Sequence, residues 1–105
     1  STEPGRVRFS LLLTQVVDKH DYVQGWVKIS LRGQNGGQEE ILQVSELGRD
    51  RAEAIKFRFR YFQDVIGELQ LSEGFVPLEV MVVAQSSGLN ARRLEKTFDW
   101  PLKGE

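Results

Sequence analysis

The chain has 105 residues, 40% of them hydrophobic, with 14 Lys and Arg against 15 Asp and Glu and a formal net charge of −1. This length fits one domain with enough apolar residues for a core, and the charge gives no overall attraction to nucleic acid or to an anionic membrane. Because the chain contains no cysteine, disulfide scaffolds, thiolate zinc sites and cysteine nucleophiles are excluded.

The N-terminal part predicts two strands. Residues 1–5 are a polar stretch, which we interpret as a disordered tail or as the start of a piece excised from a longer chain. Apolar residues at odd positions predict a first strand over residues 6–14, and a second strand follows over 22–32. The polar residues 18–21 between them favour a hairpin. Gly25, inside the second strand, predicts a bulge or a close packing contact.

The middle of the chain is less regular. Residues 33–38 are rich in glycine, and Asn35-Gly36 favours a type I′ turn. A third strand is expected over residues 39–44. Residues 45–54 are polar and charged, and they leave two possibilities open, a loop or a single helical turn.

The strongest alternation lies in residues 55–71, where apolar side chains occupy odd positions. One strand of that length would extend about 56 Å, whereas a domain of this size has a radius of gyration of about 13 Å. A break between Gln63 and Gly67 is therefore expected, which gives strands at 55–62 and 67–72.

The C-terminal part predicts two further strands. Ser72-Glu73-Gly74 indicates a turn, after which Pro77 is expected to open a strand that continues to Ala84. A final strand follows over residues 92–100, after a loop at 86–91. About seven short strands without a helix predict a single all-β domain over residues 1–105, an antiparallel β-sandwich of immunoglobulin-like type. A small β-barrel is the alternative.

Several segments resemble the C-terminal β domain of an uncharacterised proteobacterial family. They are Phe59–Gln63, Gly67–Leu69, Leu71–Pro77 and Phe98–Pro101, with a weaker similarity in Tyr22–Val27. Ser72 departs from the proline expected in the family's turn. The resemblance implies a membrane-anchored coiled-coil protein that holds this domain away from the inner membrane, in the periplasm. It brings no catalytic residues, because the family has no established activity.

The sequence motifs do not indicate a catalytic function. The chain lacks the short signatures of serine hydrolases, zinc proteases and P-loop enzymes. His20 is the only histidine, and the turn with Asp18 and Asp21 is better read as solvated than as a cation site. We therefore predict a protein that is not an enzyme and needs no metal or cofactor. No apolar run approaches the roughly 20 residues that span a bilayer, so no membrane insertion by this segment is expected.

A binding role has two candidate surfaces. Tyr22 and Trp26 lie on the outer face of the second strand, and Met81 and Val83 on that of the sixth, so adjacent strands would form an apolar-aromatic interface for a protein partner or a second copy. The alternative is a small-ligand or single-stranded nucleic-acid site on the basic row Lys56, Arg58 and Arg60. Because the net charge is negative, an ordinary solvated face is the favoured interpretation of this row. The apolar-aromatic face has its own alternative, in which a loop or the segment at Leu89 covers it.

Overall fold

The computed structural model describes residues 5–15, 22–47, 54–88 and 91–100. These residues form eight strands: β1 Arg6–Thr14, β2 Val23–Asn35, β3 Gln38–Gln43, β4 Ser45–Glu46, β5 Ile55–Phe59, β6 Phe62–Gln70, β7 Phe75–Ser86 and β8 Arg93–Asp99. The predicted all-β antiparallel sandwich is confirmed, since one sheet has three strands and the other five, and the described strands close no barrel. Its immunoglobulin-like character stays a prediction.

Strand β2 is the centre of the five-stranded sheet. It pairs with β7 along one edge, and with β5 and then β3 along the other, while β8 pairs with the far edge of β7. The side chains of Val27 and Leu31 are fully buried, and Ile29 is only 2% exposed. Alternation therefore directs every second residue of β2 into the core.

The three-stranded sheet has the order β1-β6-β4 and supplies the other half of the core. Phe9, Val65 and Leu69 are its buried contributions, and they pack in one cluster with the inner residues of β2. The core thus lies between the two sheets, and the outer face of each sheet carries the alternate residues.

The expected hairpin between the first two strands is wrong. β1 pairs with β6 over its whole length, from Arg6 opposite Gln70 to Thr14 opposite Phe62, and belongs to a different sheet from β2. Both edges of β2 are already occupied by β7, β5 and β3, whereas β6 offers β1 a partner of equal length. The predicted turn at residues 18–21 lies outside the described residues.

The break in the alternating stretch falls earlier than predicted. β5 ends at Phe59 and β6 begins at Phe62, so Gln63 and Gly67 lie inside β6 rather than at a turn. Gln63 stabilises the turn between β5 and β6, because its side-chain oxygen accepts a 3.0 Å hydrogen bond from the backbone amide of Arg58 on β5. Gly67 is needed inside the strand, since a Cβ there would lie 2.5 Å from Val44 Cγ1.

The glycine-rich loop after the second strand is shorter than the predicted loop over residues 33–38. β2 continues to Asn35, and the turn to β3 is made by Gly36 and Gly37, whose φ angles of 63° and 84° are both positive. The turn therefore lies one residue later than the Asn35-Gly36 pair suggested. In the segment 45–54, β4 was not foreseen, and residues 48–53 lie outside the described part.

Pro77 does not open its strand. β7 starts at Phe75, and Pro77 lies opposite Gly33 where the β2–β7 register shifts after Arg32. A proline is accommodated at such an irregularity because the ladder is interrupted there. The turn before β7 is as predicted, with Gly74 at a φ of 84° and the Phe75 amide donating to the Ser72 carbonyl.

Gly25 generates a stability prediction. Its Cα faces the β7 backbone, and a Cβ would collide with the Gln85 carbonyl oxygen and lie 2.7 Å from Ser86 Cα. Because main-chain atoms cannot rotate away, we expect Gly25→Ala to lower the free energy of unfolding by about 3 kcal/mol. Urea denaturation followed by circular dichroism measures this change.

Gln24→Ala is the matched control on the adjacent, exposed position, with an expected change within about 0.5 kcal/mol. A Gly25→Ala protein as stable as the wild type would show that β2 and β7 do not approach this closely.

Candidate functional site

The outer face of the five-stranded sheet brings predicted site residues together in rows. Pairing of β5, β2 and β7 places Lys56, Trp26 and Gln85 side by side in one row. The next row has Lys28 beside Val83, and the one after it has Ser30 beside Met81. Trp26, Val83 and Met81 therefore share one surface, because the strands that carry them are neighbours. None of the described strands forms a third layer over this face.

Trp26, Met81 and Val83 are each half-buried on this face. Their adjacency is the condition on which the predicted interface depended, and the β2–β7 register fulfils it. Tyr22 is placed differently from the other three. It comes one residue before the Val23–Phe59 pair of β2 and β5. Its ring contacts Arg58 on β5 and Arg60, which follows β5. Tyr22 therefore lies toward β5, whereas Met81 and Val83 lie on β7, at the other edge of β2.

A cluster of cations and aromatic rings forms where β2 meets β5, and we call it the basic corner. It consists of Tyr22, Trp26, Lys28, Lys56, Arg58 and Arg60. The guanidinium carbons of Arg58 and Arg60 lie 4.0 Å and 5.0 Å from the centre of the Tyr22 ring. The Lys28 ammonium lies 5.4 Å from the centre of the Trp26 ring. These distances are those of cation–π contacts, so the predicted basic row and the predicted aromatic residues are parts of one site.

The charges on this sheet face are unevenly compensated. Away from the corner, Arg32 Nε donates to Glu79 at 2.6 Å and Arg93 Nε to Glu95 at 2.8 Å. The hydrogen bond that Arg32 donates to Glu79 raises the pKa of Arg32 above its ordinary value. In the part of the chain that the structure describes, the four cations of the basic corner form no ion pair with a carboxylate. Positive charge therefore accumulates at one end of the face.

A second exposed apolar patch lies on the outer face of the three-stranded sheet, and sequence reasoning missed it. Its members are between 40% and 65% exposed, and they are Leu12, Leu47, Phe62 and Ile66. Leu12 lies opposite Asp64 and diagonal to Phe62 and Ile66. The run Leu11-Leu12-Leu13, which interrupts strict alternation, was the signal that an apolar residue points outward here.

An open cleft lies between the sheets beside β1 and β8. Its volume is about 200 Å³, and it is lined by Phe9, Ser10, Leu11, Ile29, Val80, Val82 and Phe98. Leu94 and Phe98 of β8 point to this side of their sheet and stay about half exposed. Small-molecule sites usually enclose about 300–1,000 Å³, so the cleft is small for a cofactor.

Two observations on the described residues concern metal ligands and buried polar groups. Among them there is no group of three or more His, Asp or Glu side chains that could hold a metal ion. None of their polar or charged side chains is buried. His20, Asp18 and Asp21 lie outside the described residues. No helix in the described ranges is long and apolar enough to cross a membrane.

The comparison with known families covers most of the strands. The sequence profile of a family of unknown function, DUF6776, matches residues 1–82. The chain belongs to this family. The match includes β1 to β6 and most of β7, whereas the resemblance seen at Phe98–Pro101 lies beyond it. No curated protein and no solved structure matches the chain.

The stacking of Arg58 on Tyr22 leads to an energetic prediction. In a double-mutant cycle with Tyr22→Leu and Arg58→Gln, we expect a coupling free energy of about 0.5–1 kcal/mol, the value of an exposed cation–π contact. Urea denaturation of the two single variants and the double variant gives this coupling.

The same cycle with Arg8→Gln, on the outer face of the other sheet, is the control, and its coupling should stay within about 0.3 kcal/mol of zero. Equal couplings in the two cycles would contradict a specific contact between Arg58 and Tyr22.

Proposed function

We propose that this domain is a non-catalytic protein-interaction module that binds its partner on the outer face of the five-stranded sheet. The observation that carries the proposal is the placement of Trp26, Met81 and Val83 on adjacent strands of a face that no described strand covers. Tyr22 extends the surface toward β5 through its contacts with Arg58 and Arg60.

The composition of this face suits a protein interface. Aromatic residues, methionine and arginine are enriched where proteins bind one another, and a few large side chains near the centre supply most of the binding energy. Trp26 has that position, since Lys56 flanks it on β5 and the β7 residues lie on its other side. We expect Trp26 to be the main anchor, with Val83 in the next row and Met81 in the row after it excluding water from the rest of the surface.

The setting of the module is part of the proposal. The resemblance described from the sequence supports a membrane-anchored coiled-coil protein of proteobacteria that presents this domain in the periplasm. In that setting the partner is a second protein, or a second copy of the domain brought close by the coiled coil. Two domains held on one coiled coil would meet at a raised effective concentration, so a weak contact between them would suffice.

Single-stranded nucleic acid is the second candidate ligand. Lys56, Arg58 and Arg60 lie close to two aromatic rings, which is the combination that binds phosphates and stacks bases. This reading predicts an affinity that falls steeply as salt rises. It is less favoured, because cations of the basic corner already contact both rings, whereas bases stack on open aromatic faces.

The proposal is tested by affinity capture from a proteobacterial lysate with the wild-type domain and with Trp26→Ala. Because Trp26 is half-buried on the sheet surface, we expect its removal to cost about 1 kcal/mol of stability or less and to leave the fold intact by circular dichroism. Proteins retained by the wild type should be lost from the variant.

Phe62→Ala is the matched control, since Phe62 is an exposed aromatic residue on the other sheet. It should retain the same proteins as the wild type. Loss of binding in Phe62→Ala alone would show that the interface lies on the three-stranded sheet. Unfolding of Trp26→Ala would show that Trp26 is a core residue.

A further inference from the structure

We infer that the basic corner binds an extended acidic segment of a partner polypeptide, with carboxylates at alternate positions. This inference rests on the proposed function and specifies the chemistry of the partner. It follows from three properties of the corner: its charge, which no described carboxylate pairs with, the contacts of its arginines with Tyr22, and the spacing of its cations.

The charge of the corner contrasts with that of the rest of the molecule. Lys28, Lys56, Arg58 and Arg60 contribute a formal charge of +4, while the whole chain carries −1, so the remaining residues carry −5. No ion pair neutralises these four cations within the described ranges. The corner is therefore a local positive site on a protein whose net charge is negative. An anionic ligand is attracted to this corner, although the chain as a whole does not attract it.

The aromatic rings hold the cations in place. Arg58 and Arg60 both lie over Tyr22, at 4.0 Å and 5.0 Å from its centre. A guanidinium that stacks on a ring keeps the N–H donors in its plane free for a carboxylate, which it binds with two parallel hydrogen bonds. Less side-chain entropy is then lost on binding, because the contacts with Tyr22 already restrict the arginines.

The spacing of the cations matches an extended chain. Lys56 and Arg58 occupy alternate positions of β5 and point to the same side of the sheet. Side chains at alternate positions of a strand are about 6.6 Å apart, in the protein and in an extended peptide alike. Acidic residues at alternate positions of the partner would therefore meet successive cations, while the residues between them point away.

A peptide fits this corner better than a nucleic acid. Bases stack on open aromatic faces, whereas Tyr22 is contacted by two guanidinium groups and Trp26 by the Lys28 ammonium. Val83 lies beside Lys28 in the next strand and offers apolar contact rather than a further cation for phosphates. The surface thus combines carboxylate donors with an apolar margin.

The test uses a fluorescein-labelled peptide of five Glu-Thr repeats, with five Gln-Thr repeats as the uncharged control. Fluorescence anisotropy with the whole 105-residue chain should show saturable binding of the acidic peptide only, weakening as salt is added. The double variant Arg58→Gln with Arg60→Gln should weaken binding by about 10-fold or more, because it removes two charge-assisted contacts.

Arg8→Gln with Lys96→Gln removes the same charge elsewhere on the surface, and it should change the affinity by less than about 2-fold. Tyr22→Leu should weaken binding by about 3-fold while Tyr22→Phe keeps the wild-type affinity, since only the ring is needed to position the arginines. Circular dichroism confirms that each variant is folded.

Three results would overturn the inference: no saturable binding of the Glu-Thr peptide up to about 1 mM, equal losses in the two double variants, or tighter binding of an oligothymidylate or of anionic phospholipid vesicles. Capture of a partner that depends on Trp26, together with no binding of the acidic peptide, would leave the interaction module standing and refute only its acidic ligand. If Trp26-dependent capture also fails, the proposed function fails as well.

Discussion

The long antiparallel pairing of β2 with β7 determines both the interior and the candidate binding surface of this domain. Val27, Ile29 and Leu31 point inward from β2, whereas the alternate residues Trp26 and Lys28 point outward. Because side chains alternate with a period of two, a register slip of one residue would exchange the two sets. The backbone contact at Gly25, which admits no side chain, therefore protects the placement of Trp26 as well as the fold.

The unequal size of the two sheets explains why binding is expected on a surface rather than in a pocket. Three strands cannot cover five, so β8 keeps Leu94 and Phe98 about half exposed, and the cleft beside β1 stays small and open. The outer face of the larger sheet is correspondingly broad. Its charges are paired at Arg32–Glu79 and Arg93–Glu95, whereas no described carboxylate pairs with the cations of the basic corner.

Local patterns predicted what depends on local geometry. The alternation of apolar and polar residues predicted that β1, β2 and β5 are strands. It also predicted that Trp26, Met81 and Val83 face outward. It could not identify strand partners, because the apolar face of β1 would suit many strands and its pairing with β6 joins residues more than forty positions apart. The stacking of Arg58 and Arg60 on Tyr22 has the same origin, since it follows from the Val23–Phe59 pair. β4 has only two residues, too few for any periodicity.

The two tryptophans occupy different environments. Trp100 packs on Phe9 with ring centres 6.4 Å apart, and its amide donates to the Leu78 carbonyl, so it reports on the closure of the sandwich. Trp26 lies on the outer sheet face beside Lys28 and Lys56. Intrinsic fluorescence of the chain is therefore the sum of the emission of an indole packed against the core and that of an indole on the outer sheet face. A ligand on the outer face would change the emission of Trp26 while leaving Trp100 as an internal reference.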